Sequence, residues 1–392
     1  MEITLSAPLP YSSASFEKEW QFLCGCASPG IGVAGIAQSL AANLDWKLVL
    51  EVAEEHGMLG VLANRLREVD FAGVPASARE SLQSRLRAQY LFTLSMTAEL
   101  FHILDDFSKR DIETLLVKGP LLSLLAYNDP AVRSYVDLDL LVRHRQILAA
   151  TQRMQALGYE SDVPVNAIEA GKVPGEYLFK RPNTAQIVEL HTERTFRYYP
   201  RPMRLEDLFG RQRRVLVDGR EIPALSLEDE FVLNCIHGAK HFWERLMWVA
   251  DIAAIVARHP EMDWKKAREG ADDVGAERML HVALQLANTV LGVALPAKVA
   301  DEVKQDAAAG RLCERVLRWL PYAGYAPPLL KERAIFRVGM RGGGLAGIVY
   351  LLRLSVSPTE EDWVEGREEK RSRLWDAVQR PWRLMRKYRA DH

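Results

Sequence analysis

The sequence predicts an α+β fold: a small mixed sheet set between helical N- and C-terminal regions. Three observations carry this. Amphipathic stretches with recognisable caps fill the first 75 residues and recur from Ser226 onward. Short apolar runs of strand character cluster between Ile112 and Pro223. Turn signals at Lys118-Gly119-Pro120, Asn128-Asp129-Pro130, Pro182-Asn183 and Asp218-Gly219 punctuate those runs. At 392 residues the chain exceeds one ordinary core. The expected organisation is a helical region over 1–75, an α/β core over 76–225, a helical domain over 226–330 and a helical basic tail over 331–392.

The elements follow in order. Asp45 is a good N-cap for a helix from Trp46 to His56, and Gly57 a good terminator. A short helix spans Leu59 to Val69. Pro75 introduces a long helix, about Ser77 to Ser108, whose apolar stripe reads Leu82, Leu86, Tyr90, Leu94 and Phe101. Ile112 to Val117 reads as a strand, and the Lys118-Gly119-Pro120 turn opens a short helix closing near Tyr127. Ser134 to Val142 reads as a second strand, with Val136, Leu138 and Leu140 toward the core. Gln146 to Leu157 reads as a helix stopped by Gly158. Two hairpins follow, Glu176–Lys180 with Gln186–His191, and Arg213–Val217 with Glu221–Pro223. Ser226 caps a helix with Glu228, Asp229 and Glu230 in its first turn, where the helix dipole favours anions. Asp45-Trp46-Lys47 with Ala53 and Gly57 is echoed by Asp263-Trp264-Lys265 with Ala271 and Gly275. Two copies make similar helix–turn–helix pieces, not a solenoid.

Composition narrows the function classes. With 48% hydrophobic and 26% charged residues, the chain has the profile of a soluble globular protein. A net charge of −1 gives no overall attraction to nucleic acid or membrane, so any such affinity must come from a local patch. Cys24, Cys26, Cys235 and Cys313 form neither a disulfide framework nor a paired zinc cluster, which fits a reducing cytoplasm. Met1 to Ser15 lacks the basic-then-apolar pattern of a signal peptide. Leu345 to Leu352 is far shorter than the roughly 20 residues of a membrane span. No P-loop and no G-x-S-x-G elbow occurs.

The chemistry concentrates in Tyr135-Val136-Asp137-Leu138-Asp139-Leu140-Leu141-Val142. Residues two apart on a strand share a face, so Asp137 and Asp139 point the same way. Carboxylates so placed repel, and a polyvalent cation relieves the repulsion. Mg²⁺ (or Mn²⁺) suits these hard oxygens and keeps waters for substrate phosphates. In Gln186-Ile187-Val188-Glu189-Leu190-His191, Glu189 shares a face with His191. If this strand lies beside the Asp137 strand, Glu189 completes a trio able to hold two ions roughly 3.5–4 Å apart. A D-x-D pair alone also fits a solvated strand face. The Lys118-Gly119 turn upstream and the Glu189 strand downstream set this one apart.

These residues carry a resemblance. A strand, a Lys-Gly turn, a short helix, an Arg followed by D-x-D-L-L-V, and a later strand with an acidic residue and His resemble the uncharacterised nucleotidyltransferase family. That family lies in the polymerase-β superfamily. His237-Gly238-Ala239-Lys240-His241 with Trp243, Arg245-Leu246 and Asp251 is similar to its helical segment. Pro358-Thr359, Asp362-Trp363 and Arg380-Pro381-Trp382-Arg383-Leu384 extend the likeness to the C-terminus. The resemblance implies a polymerase-β-type core that moves a nucleoside monophosphate from a nucleoside triphosphate to an acceptor hydroxyl or phosphate. Asp137, Asp139 and Glu189 would then be catalytic metal ligands, with Glu189 also helping to deprotonate the acceptor. The acceptor would be a small molecule, sugar or peptide in bacterial biosynthesis, including peptide natural products and surface polysaccharides. Superfamily members commonly have Gly-Ser or Gly-Gly at the first turn, where this chain has Gly119-Pro120. Proline donates no N–H, so Ser123 or Lys118 is expected to meet phosphate instead.

Further nucleotide-binding candidates surround this set. Lys118 and Arg133 stand near the phosphates, with Gly119, Ser134 and His191 beside them. His237, Lys240 and His241 share one helical face and line the cleft. The two histidines lack the glutamate of a zincin motif, since Gly238 follows the first. Arg380, Arg383, Arg386, Lys387 and Arg389 with Trp375, Trp382 and Tyr388 form a basic tail suited to an anionic partner or to docking as a helix. Two other readings remain open. One is a D-x-D glycosyltransferase using a nucleotide-sugar, although such folds place several parallel strands before the motif. The other is a non-catalytic member that binds a nucleotide or a partner.

Overall fold

The computed structural model describes residues 13–169, 175–192, 204–324 and 327–341, together with 347 and 349. Four helices open it: α1 (Ser13–Ala27), α2 (Val33–Ser39), α3 (Trp46–Glu55) and α4 (Leu59–Arg67). The long helix α5 (Ala76–Ser108) leads into β1 (Thr114–Val117), α6 (Gly119–Tyr127) and β2 (Leu138–Val142). Next come α7 (Ile147–Ala156), α8 (Val165–Glu169), β3 (Glu176–Lys180), β4 (Ile187–His191) and α9 (Leu205–Gly210). The hairpin β5 (Arg213–Val217) and β6 (Arg220–Ala224) closes the sheet. The helices α10 (Leu227–Lys240), α11 (Leu246–Arg258), α12 (Trp264–Asp273), α13 (Glu277–Leu291), α14 (Ala297–Gln305), α15 (Ala307–Trp319) and α16 (Leu330–Met340) follow. The fold is the expected mixed sheet flanked by helices.

Capping explains why α3 and α12 echo each other. Asp45 accepts from the N–H groups of Lys47 and Leu48, and Asp263 from those of Lys265 and Lys266. Each helix ends at a left-handed glycine, Gly57 at φ +70° and Gly275 at φ +68°. The next N–H reaches back to Ala53 and Ala271 respectively, the Schellman closure.

The sheet runs β3-β4-β2-β1-β6-β5. Its two central strands are buried along their whole length, which is why they read as nearly continuous apolar runs. β1 pairs antiparallel with β2, placing Val117 opposite Asp139. β2 pairs parallel with β4, placing Asp139 opposite Glu189. The hairpin turn at Asp218 (φ +44°) and Gly219 (φ +80°) has the two left-handed residues that a type I′ turn requires.

Two expectations are corrected. The acidic strand begins at Leu138, not Ser134, and Val136 is 66% exposed rather than in the core. Residues 133–137 form a loop in which Arg133 and Tyr135 are the buried side chains, so the alternation changes phase before the strand. On α5, Tyr90 and Leu94 are 56% and 50% exposed. Steps of four residues advance about 40° beyond a full turn each time, so a stripe read at that spacing leaves the core. Met96, Leu100, Ile103, Leu104 and Phe107 carry the buried face instead.

The N-terminal helices pack on both the loop before β2 and the later helices. Helix α4 meets that loop so closely that a Cβ at Gly60 would lie 2.0 Å from the Val132 carbonyl oxygen. α1 packs against α3, α4 and α13, and α11 against α6 and α13. No helix among the described residues is long and apolar enough to cross a membrane. The basic tail and the Pro358 to Leu384 part of the resemblance lie outside the described residues.

His56 joins two of these regions. It is buried at the end of α3, its ring 5.0 Å from that of Trp20, and its Nδ1 accepts from the Leu246 N–H at 3.1 Å. Burial lowers its pKa from 6.5 to about 4. Because the folded value is depressed, its stabilising contribution is complete above about pH 6.5 and is lost as pH falls through about 4. Between pH 7 and pH 4.5 that loss is about 2–3 kcal/mol. Urea unfolding at both pH values should show the wild type losing that much more than His56→Asn. Equal losses would remove His56 as the cause.

Candidate active site

A cavity of about 500 Å³ opens over the carboxyl end of β1 and the amino end of its antiparallel neighbour β2. Asp137, Asp139, Glu176 and Glu189 line its sheet side, and His237, Lys240, His241 and Trp248 its helical side. Asp139 and Glu189 meet there because their strands are parallel neighbours in direct register. Asp137 precedes β2 and sits half-buried at the cavity wall.

Asp139 is buried between two cations. Lys118 Nζ lies 3.4 Å from its Oδ1, and His191 Nε2 lies 2.7 Å from the same oxygen. Burial opposes its charge, but Lys118 and His191 outweigh burial and hold Asp139 well below the ordinary carboxylate range. His191 also stands 3.3 Å from Glu189 Oε2. Burial would lower its pKa, yet the bonds to Asp139 and Glu189 raise it to about 10, so the ring is an imidazolium. Burial, reinforced by repulsion from Asp139 and Glu189, raises Asp137 to about 6. Donor atoms of Asp139, Glu189 and His191 lie within 4.8 Å of one another.

Lys118 adopts a left-handed conformation, φ +50°, at the mouth of β1. Its N–H donates to Glu230 Oε1 at 2.9 Å, which anchors the strand-to-helix turn to α10. Glu230 is raised by burial to about 7, even though Asn234 and that N–H both favour its charge. Lys240 lies 3.4 Å from Glu176. Burial opposes ionisation of Glu176, but Lys240, His191 and Lys118 lower it to about 2.

The family comparison fits this arrangement. The model of a family described as uncharacterised nucleotidyltransferase matches residues 42–292. The chain belongs to that family. It is also similar to a solved antigenic nucleotidyltransferase-like protein from Paracoccidioides brasiliensis, at 17% identity over 58% of this chain and 91% of that one, with a TM-score of 0.31. The search of curated proteins gave no match.

Within this nucleotidyltransferase family member, the cavity gathers most of the residues singled out in the sequence. Lys118, Gly119, Arg133, Ser134, Asp137, Asp139, Glu189, His237, Lys240 and His241 all line it. His191 lies behind Asp139, as its main hydrogen-bond partner. Ser123 is placed elsewhere. Its hydroxyl is buried, donating to the Asp129 carbonyl and accepting from the Arg133 N–H, so it braces the loop rather than facing the cavity. Arg133 reaches the cavity wall but is tied to Asp251, Nε to Oδ2 at 2.8 Å. Tyr127 Oη donates to the other Asp251 oxygen at 2.9 Å. The sequence reading missed Glu176, Glu230 and Trp248 as site residues. Glu176 was within reach, because the hairpin around Pro182-Asn183 fixes its position opposite His191.

Proposed function

We propose that this cavity transfers a nucleoside monophosphate from an NTP to an acceptor hydroxyl or phosphate on a small molecule, sugar or peptide. The carrying observation is the direct pairing of Asp139 with Glu189 on adjacent parallel strands, with Asp137 on the same cavity wall. The donor set suits a hard divalent cation. Asp139 and Glu189 converge, and Asp137, raised first by burial and then by repulsion from both, is a carboxyl whose charge such a cation would favour. Asp137, Asp139 and Glu189 would hold Mg²⁺ or Mn²⁺. When bound, the metal supplies positive charge against the α-phosphate and the departing pyrophosphate.

The chain's own residues do the remaining work. Lys118 and Lys240 offset triphosphate charge, in a cleft where such charges act strongly. His191 fixes the orientation of Asp139 through the 2.7 Å bond. Glu189 takes the proton of the acceptor. The first turn of α6 offers the Gly119 N–H but none at Pro120, which shifts phosphate binding toward the lysines. The buried, unpaired cysteines accord with a cytoplasmic setting, where NTPs are at hand.

A specific observation favours a second reading, a nucleotide-binding member without transfer. Asp139 already has two cationic partners, Lys118 and His191. Incubation with each labelled NTP, Mg²⁺ and candidate acceptors, read as pyrophosphate release, separates the two readings. Calorimetry with a non-hydrolysable NTP should show metal-dependent binding that Asp137→Ala abolishes. Equal binding with and without metal would sink the metal assignment.

A further inference from the structure

The two walls of the cavity differ in chemistry. The sheet wall carries Asp137, Asp139, Glu176, Glu189 and Lys118, and Lys240 reaches over to it through Glu176. The helical wall carries Glu55, Glu244 and Arg245 as well, and among them an aromatic patch. Trp248, half-buried on α11, faces the cavity with His237 of α10 and His241 at that helix's C-cap packed against it. Ring centroids lie 5.4 Å from Trp248 to each histidine and 4.6 Å between the histidines. His237 meets the indole edge-on at 90°, while His241 lies tilted at 39°. Tyr135, the other aromatic ring on the lining, is buried.

Charge distinguishes this aromatic patch from a phosphate site. Burial and the nearby lysines hold His237 well below the usual histidine range and His241 at about 3, so both rings are uncharged near neutral pH. Uncharged imidazoles give a triphosphate no counter-charge. Each offers one N–H donor and one ring-nitrogen acceptor, the complement of a heterocycle edge. No hydrogen bond among the described residues uses those ring nitrogens. A flat indole with such neighbours is a stacking platform that any base can use.

Resting on the nucleotidyl-transfer reading, we infer that Trp248, His237 and His241 form the nucleobase subsite of the NTP, with the base packed on the Trp248 indole and its edge met by the imidazoles. The phosphates then run from this wall toward Lys118 and the carboxylates. Trp248 is a binding residue here and touches no reacting atom.

The test compares ligands with and without a base on the full chain. Calorimetry with Mg²⁺ is run with ATP, GTP, CTP, UTP and inorganic tripolyphosphate, on wild type, Trp248→Leu and Trp248→Phe, with melting curves for each. The tightest NTP should bind the wild type at least tenfold better than tripolyphosphate. Trp248→Leu should weaken that NTP roughly tenfold, the scale of one base–aromatic stack, and leave tripolyphosphate within about twofold. Trp248→Phe should restore most of the NTP affinity. Tripolyphosphate binding as tightly as every NTP, or equal weakening of both ligands by Trp248→Leu in a folded protein, overturns the base subsite alone. Failure of both NTPs and tripolyphosphate to bind wild type overturns the transfer reading and the subsite with it.

Discussion

Glu189→Gln is expected to lower turnover roughly 10²–10³-fold, the usual cost of one electrostatic element at a reacting centre. The melting temperature should stay near that of the wild type. The exchange keeps side-chain volume, and the packing of β4 rests on Val188 and Leu190, which are fully buried. Glu189 itself keeps 18% of its side chain exposed, so the substitution disturbs little of the interior. What disappears is the carboxylate opposite Asp139 that also faces His191 at 3.3 Å. A neutral amide binds a divalent cation poorly and cannot take the acceptor's proton. Turnover and melting measured side by side decide the matter. Undiminished turnover would make Glu189 a bystander, and a collapsed melt would make it structural.

Asp251→Ala is expected to cost roughly 3–5 kcal/mol of stability, the range for removing one partner of a buried ion pair. Arg133 and Asp251 keep only 6% and 2% of their side chains exposed. Without Asp251 the buried guanidinium loses its directly bonded counter-charge, and Tyr127 loses its acceptor. Removing both charges, as in Arg133→Met with Asp251→Leu, should recover most of the loss, because apolar replacements of similar volume carry no desolvation cost. Urea unfolding of the two variants gives the answer. A loss below about 1 kcal/mol in Asp251→Ala would mean that Arg133 finds other partners.

Local signals in the chain proved the most legible. Caps at Asp45 and Ser226, and the turn at Asp218-Gly219, each act through a few adjacent residues, and they stand where the sequence places them; the echo of the Asp45 segment at Asp263 is a cap of the same kind. The adjacency of the Asp139 and Glu189 strands was also readable, because two polar strand faces in an apolar sheet share a common outlet. The loop from Arg133 to Asp137 was not. Its residue alternation imitates a strand, but Arg133 is drawn inward by Asp251, a residue 118 positions away. Lys118 likewise meets Glu230 over 112 positions. Such pairings leave no periodic trace in one sequence. Ser123 shows the same limit. A hydroxyl near a phosphate-type turn looks available until the Asp129 carbonyl and the Arg133 N–H are seen to use it.

The bond from the Lys118 N–H to Glu230 links the cavity's opposing walls through one rigid element. Helix α10 holds the turn that carries Lys118 at one end and presents His237 and Lys240 near the other. The spacing between acidic and cationic groups is therefore set during folding, before a ligand arrives. Charges already oriented need little reorganisation as a reaction proceeds, and little binding free energy is diverted into closing a cleft. Selectivity follows from the same link: a wall tied to the turn opposite favours ligands long enough to span the gap.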